Sequence, residues 1–307
     1  MVSASRAVAK VPCTCGELVQ GMVDGRSFLV SCPIDIYSRV DVTLGFSDLP
    51  SRGGPRGSEA QPFAKARRAV DLTLAHLGLP GTSFCLEVSC PLPPAKGFGT
   101  STADVVGAVA ATAAAAGRAI SPEQVAMLAV SVEPSDSTAF PDLALFDHRA
   151  GDGFERLGPS PPLLVVVLEF EGTVDTLEYN AGLDLARLAR LEHEHLGALE
   201  LLRRGLRQHR LQLIGEAATA SALANQQLLP KTQLDGVIAL ARHHGALGVC
   251  VAHSGTAMGA LFDPGEIGRA EEMIRWAGGE LEGLLRGWVS RMVGGGARLL
   301  KLSEVGR

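Results

Sequence analysis

The stretch Pro93-Pro94-Ala95-Lys96-Gly97-Phe98-Gly99-Thr100-Ser101-Thr102-Ala103-Asp104 constrains the chain more than any other. Before it, Phe84–Val88 reads as a short strand, halted by the prolines at 91, 93 and 94. After it, Ser101–Ala116 is alanine-rich, with high helix propensity and side chains small enough for neighbours to approach closely. A fold containing this run must seat a buried helix directly behind a glycine-rich turn. Glycine lets backbone come close to a ligand, and a helix start offers unpaired N–H groups at the positive end of its dipole. Phosphate is the natural guest. The hydroxyls of Thr100, Ser101 and Thr102 can cap the helix, bind phosphate oxygens or ligate Mg²⁺. The plainer reading is a turn that merely caps a helix. The lysine precedes the glycines, so this is not a Walker A loop, and the third glycine of a dinucleotide fingerprint is missing.

Two further elements carry chemistry. Glu133-Pro134-Ser135-Asp136-Ser137-Thr138 follows a helix expected to end at Val132. Phosphoryl transfer uses a metal to neutralise charge, and a carboxylate to hold that metal or take the proton of the attacking hydroxyl. Two acids three positions apart could divide those roles. Taken alone, the same residues make a helix broken by Pro134 and a turn or cap at Ser135 and Asp136. Residues 248–262 read strand, small-residue turn, strand. They make either a hairpin with a slightly long turn or a loop laid over a phosphate or substrate, with His253 as a local hydrogen-bond partner.

The rest of the chain mixes strands and helices. Residues 27–46 read as β structure, 47–62 as a Gly/Pro/Ser-rich exposed loop, and helical spacing returns from Phe63 to Leu77 with Arg67 and Arg68 facing out. Ser121-Pro122-Glu123 is a helix start of cap then proline. Composition turns loop-like at 151–162, before the unbroken apolar strand Leu163–Phe170. A boundary is expected there, giving domains over 1–160, with the phosphate loop, and 161–307. The second half offers a long helix from about Leu183 to Gln208, helices at 211–227, 232–243 and 266–277, and two strands flanking the turn within 247–262. A last strand includes Arg298–Leu302. Without strict βαβ alternation, a two-layer α+β architecture is the expectation.

With 46% of its 307 residues hydrophobic the chain can bury a large core, and a net charge of −5 argues against a nucleic-acid partner. Arg203, Arg204, Arg207 and Arg210 alternate with leucines at helical spacing, as a solvated helix face does. No apolar run reaches the length that spans a bilayer. Residues 1–10 carry Arg6 and Lys10 with no apolar stretch behind them, so no secretory leader is expected. Cys13, Cys15, Cys32, Cys85, Cys90 and Cys250 are then expected as reduced thiols of a cytoplasmic protein, without the second pair that a zinc finger needs. His193-Glu194-His195 lacks the His-Glu-x-x-His spacing of a helical zinc hydrolase.

The order and spacing of the glycine-containing elements resemble the GHMP kinase superfamily, whose members include galactokinase, homoserine kinase and mevalonate kinase. Lys96–Ala103 resembles its central phosphate loop, and residues 247–262 its C-terminal loop. Pro12-Cys13-Thr14-Cys15-Gly16-Glu17-Leu18-Val19-Gln20-Gly21 occupies the place of its first motif. That motif, with Ser31-Cys32-Pro33-Ile34-Asp35, is similar to the branch that phosphorylates L-threonine for cobalamin synthesis. Glu133–Ser137, running on to Leu145-Phe146-Asp147-His148, has the same character. The chain departs from the superfamily in three ways. It has Thr100-Ser101 where Ser-Ser is frequent, Thr256 in place of a proline, and an unusually short interval between Glu133 and Asp136.

The resemblance implies a ribosomal-S5-domain-2-like N-terminal domain joined to a ferredoxin-like C-terminal domain, with ATP between them. The implied activity is ATP-dependent phosphorylation of the L-threonine hydroxyl to O-phospho-L-threonine; another GHMP small-molecule kinase, such as homoserine kinase, or a catalytically silent nucleotide-binding homologue are the alternatives. Pro94, Ala95, Lys96, Gly97, Phe98, Gly99, Thr100, Ser101, Thr102 and Ala103 would cradle ATP. Ser101 and Glu133 would hold Mg²⁺. Lys96 would add positive charge near the phosphates, unless it snorkels outward, and Asp136 would orient or deprotonate the hydroxyl. Cys15, Gly16, Glu17, Gln20, His253, Ser254, Gly255 and Thr256 would read the substrate's ammonium and carboxylate. The implied partner is a small molecule, with neither nucleic acid nor membrane involved, and a homodimer is compatible with all of this.

Overall fold

The computed structural model describes residues 5–45, 63–151, 153–173 and 185–301. The loop expected at 47–62 lies outside these residues, as do the start of the helix expected at Leu183 and the end of the strand expected at Leu302.

Two long strands form the centre, β1 (Ser5–Val23) and β2 (Arg26–Leu44), paired antiparallel. Around them, in chain order, come β3 (Phe84–Ser89), β4 (Leu143–Phe146), β5 (Phe154–Gly158), β6 (Leu164–Phe170), β7 (Gly248–Val251), β8 (Met258–Phe262), β9 (Leu284–Arg291) and β10 (Arg298–Leu300). Among the described residues these form one sheet in the order β5-β4-β2-β1-β7-β8-β6-β9, with β3 also on β2 and β10 also on β1. The first half of the chain meets the second where Glu17 pairs with Val251. The site forms at this seam.

Helices cover the sheet. α1 (Ala64–His76), α2 (Thr100–Ala115) and α3 (Pro122–Val130) belong to the first half. α2 is buried along nearly its whole length, as its alanines and valines require, and contributes to the core shared with Val11, Val40 and Val42. α3 starts with the expected cap: Ser121 Oγ accepts from Gln124 N, Gln124 reaches back to Ser121 N, and Pro122 follows. In the second half, α4 (Leu185–Arg190), α5 (Glu192–Gln208), α6 (Leu211–Asn225), α7 (Leu234–His243) and α8 (Ile267–Glu280) complete the α+β architecture. A separate apolar cluster joins β6, β7 and β8 to α7 and α8.

The structure differs from the sequence pattern in several places. β1 is a strand of 19 residues, although its sequence shows no clean alternation. Register shifts between Pro12 and Thr14, Thr14 and Glu17, and Glu17 and Val19 explain this, because each bulge resets which side chains face which way. The helix expected up to Gln208 is interrupted at Leu191. β4, β5 and β9 were not anticipated. Among the described residues no helix is long and apolar enough to cross a membrane. All six cysteines are free thiols, with Cys13 and Cys90 sulfurs 3.6 Å apart.

Candidate active site

The turn before α2 holds the helix start open. Gly99 precedes α2 with φ of 61°, and no side chain caps the helix. The first amides of α2 therefore lack the oxygen partner that a capped helix would have. Thr14 N donates to Phe98 O at 2.8 Å on one side, and Thr256 N and Ala257 N donate to Lys96 O at 3.0 and 2.8 Å on the other. The loop is thus pinned by backbone to β1 and to the β7–β8 hairpin. Gly99 has no substitute here: a Cβ would sit 2.5 Å from Asp136 Oδ2 and 2.8 Å from Thr14 Oγ1.

A cavity of about 70 Å³ opens over this helix start, lined among others by Glu17, Gly97, Ser101, Glu133, Asp136 and His253. Glu133 is buried at 4% exposure, and its Oε1 accepts a hydrogen bond from Ser101 Oγ. Its Oε2 accepts from Lys65 Nζ at 2.5 Å, reaching over from the first turn of α1. A hydroxyl and a carboxylate on hard oxygen atoms are a donor set suited to Mg²⁺, which is ordinarily completed by phosphate oxygens and water. The residues present therefore fit that ion.

Asp136 is half-buried, and its backbone N–H donates to Thr102 Oγ1 at 3.2 Å. Burial, and then the nearby charge of Glu133, raise its carboxyl pKa to about 7. Glu17 is more deeply buried. Burial first and Asp136 second push its carboxyl well above the usual carboxylate range, against a hydrogen bond from Ser31. His253 Nδ1 lies 2.6 Å from Gln20 Oε1, while Gln20 Nε2 donates to Val251 O at 3.4 Å. That orientation of the amide makes Nδ1 the protonated nitrogen of His253.

Most of the expected residues converge, and some take other roles. Ala95, Gly97, Phe98, Gly99, Thr100, Ser101 and Thr102 line the cavity, as do Glu17, Glu133, Asp136, His253 and Ser254. Lys96 does not supply charge to it: the side chain is buried and Nζ donates to Phe170 O at 2.6 Å. Pro94 is absent from the lining, and Ala103 is fully buried in the core. Cys15 is equally buried, with Cys250 Sγ donating to its carbonyl at 3.1 Å, so its thiol cannot read a substrate. Gly16 permits close approach, since a Cβ would meet the Val251 carbonyl carbon at 2.3 Å. Gly255 packs on the Lys96–Gly97 backbone, and Thr256 Oγ1 donates to Phe170 O at 3.3 Å, so both brace the loop.

Sequence reasoning missed Lys65. It opens a helix that was foreseen, but nothing in local spacing shows that it reaches a residue 68 positions away. Thr14 falls within the first motif, whose pattern gives it no role, and nothing in the local sequence singles out Asn225 or Lys231.

The N-terminal model of the GHMP kinases matches residues 64–146, and their C-terminal model matches residues 198–278. The chain is 35% identical over 302 residues to the L-threonine kinase of Salmonella typhimurium, covering 95% of each protein. It is 36% identical over 266 residues to the L-threonine kinase of Citrobacter freundii, covering 84% of this chain and 86% of that one. Among solved structures, homoserine kinase from Cytophaga hutchinsonii superposes with a TM-score of 0.68 at 18% identity, over 98% of this chain and 99% of that one. Mevalonate diphosphate decarboxylase from Staphylococcus aureus gives 0.74 at 13% identity, over 97% and 98%. At such identities the last two likenesses speak for the fold alone.

Proposed function

The chain belongs to the GHMP kinase family, and from that premise we propose that it transfers the γ-phosphoryl group of ATP to the side-chain hydroxyl of L-threonine. The observation that carries the choice of acceptor is the end-to-end similarity to two L-threonine kinases. The product is O-phospho-L-threonine, which in the branch this chain resembles feeds cobalamin synthesis. The two domains of the fold divide near residue 160, just before β6.

Phosphoryl transfer asks little covalent chemistry of a protein and much positioning. Backbone N–H groups from Gly97 to Ser101, together with the uncapped start of α2, hold the phosphate oxygens. Because the loop is tied to β1 and to the hairpin, these donors are in place before the reaction and need no reorganisation during it. Ser101 and Glu133 would hold Mg²⁺, which when bound supplies charge neutralisation at the phosphates. Asp136 accepts the proton of the attacking hydroxyl; a carboxylate with a pKa near 7 is well matched to that task at neutral pH. Glu17, buried at the seam between the two halves, receives the substrate ammonium, whose charge would return its carboxyl to the ionised form.

The test is turnover of Mg·ATP with L-threonine, L-serine and L-homoserine, with the phosphorylated amino acid identified by mass. Phosphothreonine should form with the highest kcat/KM. Turnover with L-homoserine alone, or with none of the three, would overturn the assignment.

A further inference from the structure

A second cavity adjoins the first through His253, which lines both. It lies between Gln20, His148, Asn225 and His253, and no Asp or Glu lines it. Its polar groups are poorly served. Both ring nitrogens of His148 and Nδ2 of Asn225, which line it, are buried without a hydrogen-bond partner among the described residues, and so is Nζ of Lys231, which lies outside the lining. These residues are 3%, 3% and 7% exposed. Buried polar atoms are ordinarily paired, so the unpaired groups of His148 and Asn225 facing one cavity, with a buried unpaired ammonium behind it, point to a missing acceptor. Lys231 is held by backbone bonds to the Gln226 side chain at 2.8 and 2.9 Å, just beyond the end of α6 that carries Asn225.

We infer that this cavity receives the α-carboxylate of the amino-acid acceptor, with Asn225 and His148 in its lining as hydrogen-bond donors and Lys231, buried behind the lining, as counter-charge. The inference rests on the L-threonine reading above and names the residues that recognise the amino acid as such. Charge, size and position support it. Burial lowers the pKa of Lys231 only to about 8, so it stays a cation at neutral pH, and burial first and the nearby Lys231 second lower His253 to about 4. Several donors and no acid in the lining, with a cation nearby, suit an anion. The cavity is about 10 Å³, near the volume of one water-sized group, which admits a carboxylate oxygen and is too small for a phosphate. Only Cα and Cβ separate the carboxylate carbon of threonine from its hydroxyl oxygen. A carboxylate held here therefore leaves the hydroxyl at the His253 boundary, on the side of Asp136.

The experiment compares L-threonine with L-threoninamide, which keeps the hydroxyl and the ammonium but has no anionic carboxylate. kcat/KM for each is measured with the parent protein, Lys231→Met, Lys231→Arg and Asn225→Leu, with KM for ATP followed in parallel. The parent should prefer L-threonine. Lys231→Met should reduce that preference by roughly tenfold or more, Asn225→Leu by less, and Lys231→Arg should restore part of it. KM for ATP should stay within about twofold in all of them. Folded variants that keep the parent's preference would overturn the inference while leaving threonine kinase activity intact. A loss of ATP affinity equal to the loss for threonine would also overturn it, because Lys231 would then serve the phosphates. A parent protein that does not phosphorylate L-threonine would remove the acceptor assignment itself, and this inference with it.

Discussion

Lys65 and Glu133 form an ion pair of 2.5 Å in which the glutamate side chain is almost wholly buried and the lysine side chain is 43% exposed. The same carboxylate accepts the Ser101 hydroxyl, so helix α1, the start of α2 and the segment after α3 meet on one side chain. A buried carboxylate is costly unless paired, and Lys65 supplies the pairing from the solvent side.

Removing that partner should therefore show first in stability. Lys65→Met should destabilise the free protein by about 1–2 kcal/mol, a figure held down because the lysine is partly exposed and screened. Mg·ATP should recover part of the loss by giving Glu133 another cation to face. Thermal melts with and without Mg·ATP check this; equal losses in both would leave Lys65 with no link to the nucleotide site. Glu133→Gln should instead weaken the Mg²⁺ dependence of the rate, so that raising Mg²⁺ partly restores it.

Gly99→Val should abolish tight ATP binding. The valine would carry a β-branched side chain at φ of 61°, with its Cβ in contact with Asp136 and Thr14. Such strain costs on the order of 1–3 kcal/mol, so some stability is lost together with the phosphate contacts. Calorimetric titration of the folded variant with ATP decides the matter, and an unchanged affinity would dismiss the loop assignment.

Asp136→Asn should lower kcat by about 10²–10⁴-fold with little change in ATP affinity. For the parent protein the rate should climb as pH rises through about 7, where Asp136 loses its proton, and this limb should vanish in the variant. Stability should move the other way. The folded-state pKa is raised above the ordinary value of 3.8, so the folded protein holds a proton that the unfolded chain has lost between about 4 and 7. Asp136 thus contributes stability at low pH that is lost as pH rises through about 7. A near-normal kcat in folded Asp136→Asn would favour catalysis by positioning alone.

Lys231→Met should make the free protein more stable, by an amount on the order of 1–3 kcal/mol at neutral pH, because an unpaired buried ammonium is replaced by an apolar chain of similar length. The folded-state pKa of Lys231 is depressed from 10.5 to about 8, so the parent's stability should rise with pH across that window, and the variant should lack this rise. Urea unfolding at pH 7 and pH 10 measures both effects. A destabilised variant would mean that Lys231 supports the fold rather than a ligand.

The sequence by itself determined the local chemistry. A proline-halted strand, the turn from Lys96 to Gly99 and the alanine-rich α2 were legible because each depends on the conformational preferences of residues next to one another. The cap of α3 was legible for the same reason: Ser121 and Pro122 act within one helical turn, where Gln124 completes the cap. The family, too, could be recognised from the order of its glycine elements. β1 was not legible, since its bulges answer to the partners β2 and β7 and not to its own alternation. The direction of Lys96 was decided by a carbonyl 74 residues away, that of Ser101 by Glu133, and the pairing of Glu133 by Lys65. The meeting of His148 and Asn225 in one cavity came from packing both halves against one sheet. Side-chain type limits what a residue can do, but which buried charge finds a partner, and which waits for a ligand, depends on contacts between distant segments that exist only once the chain has folded.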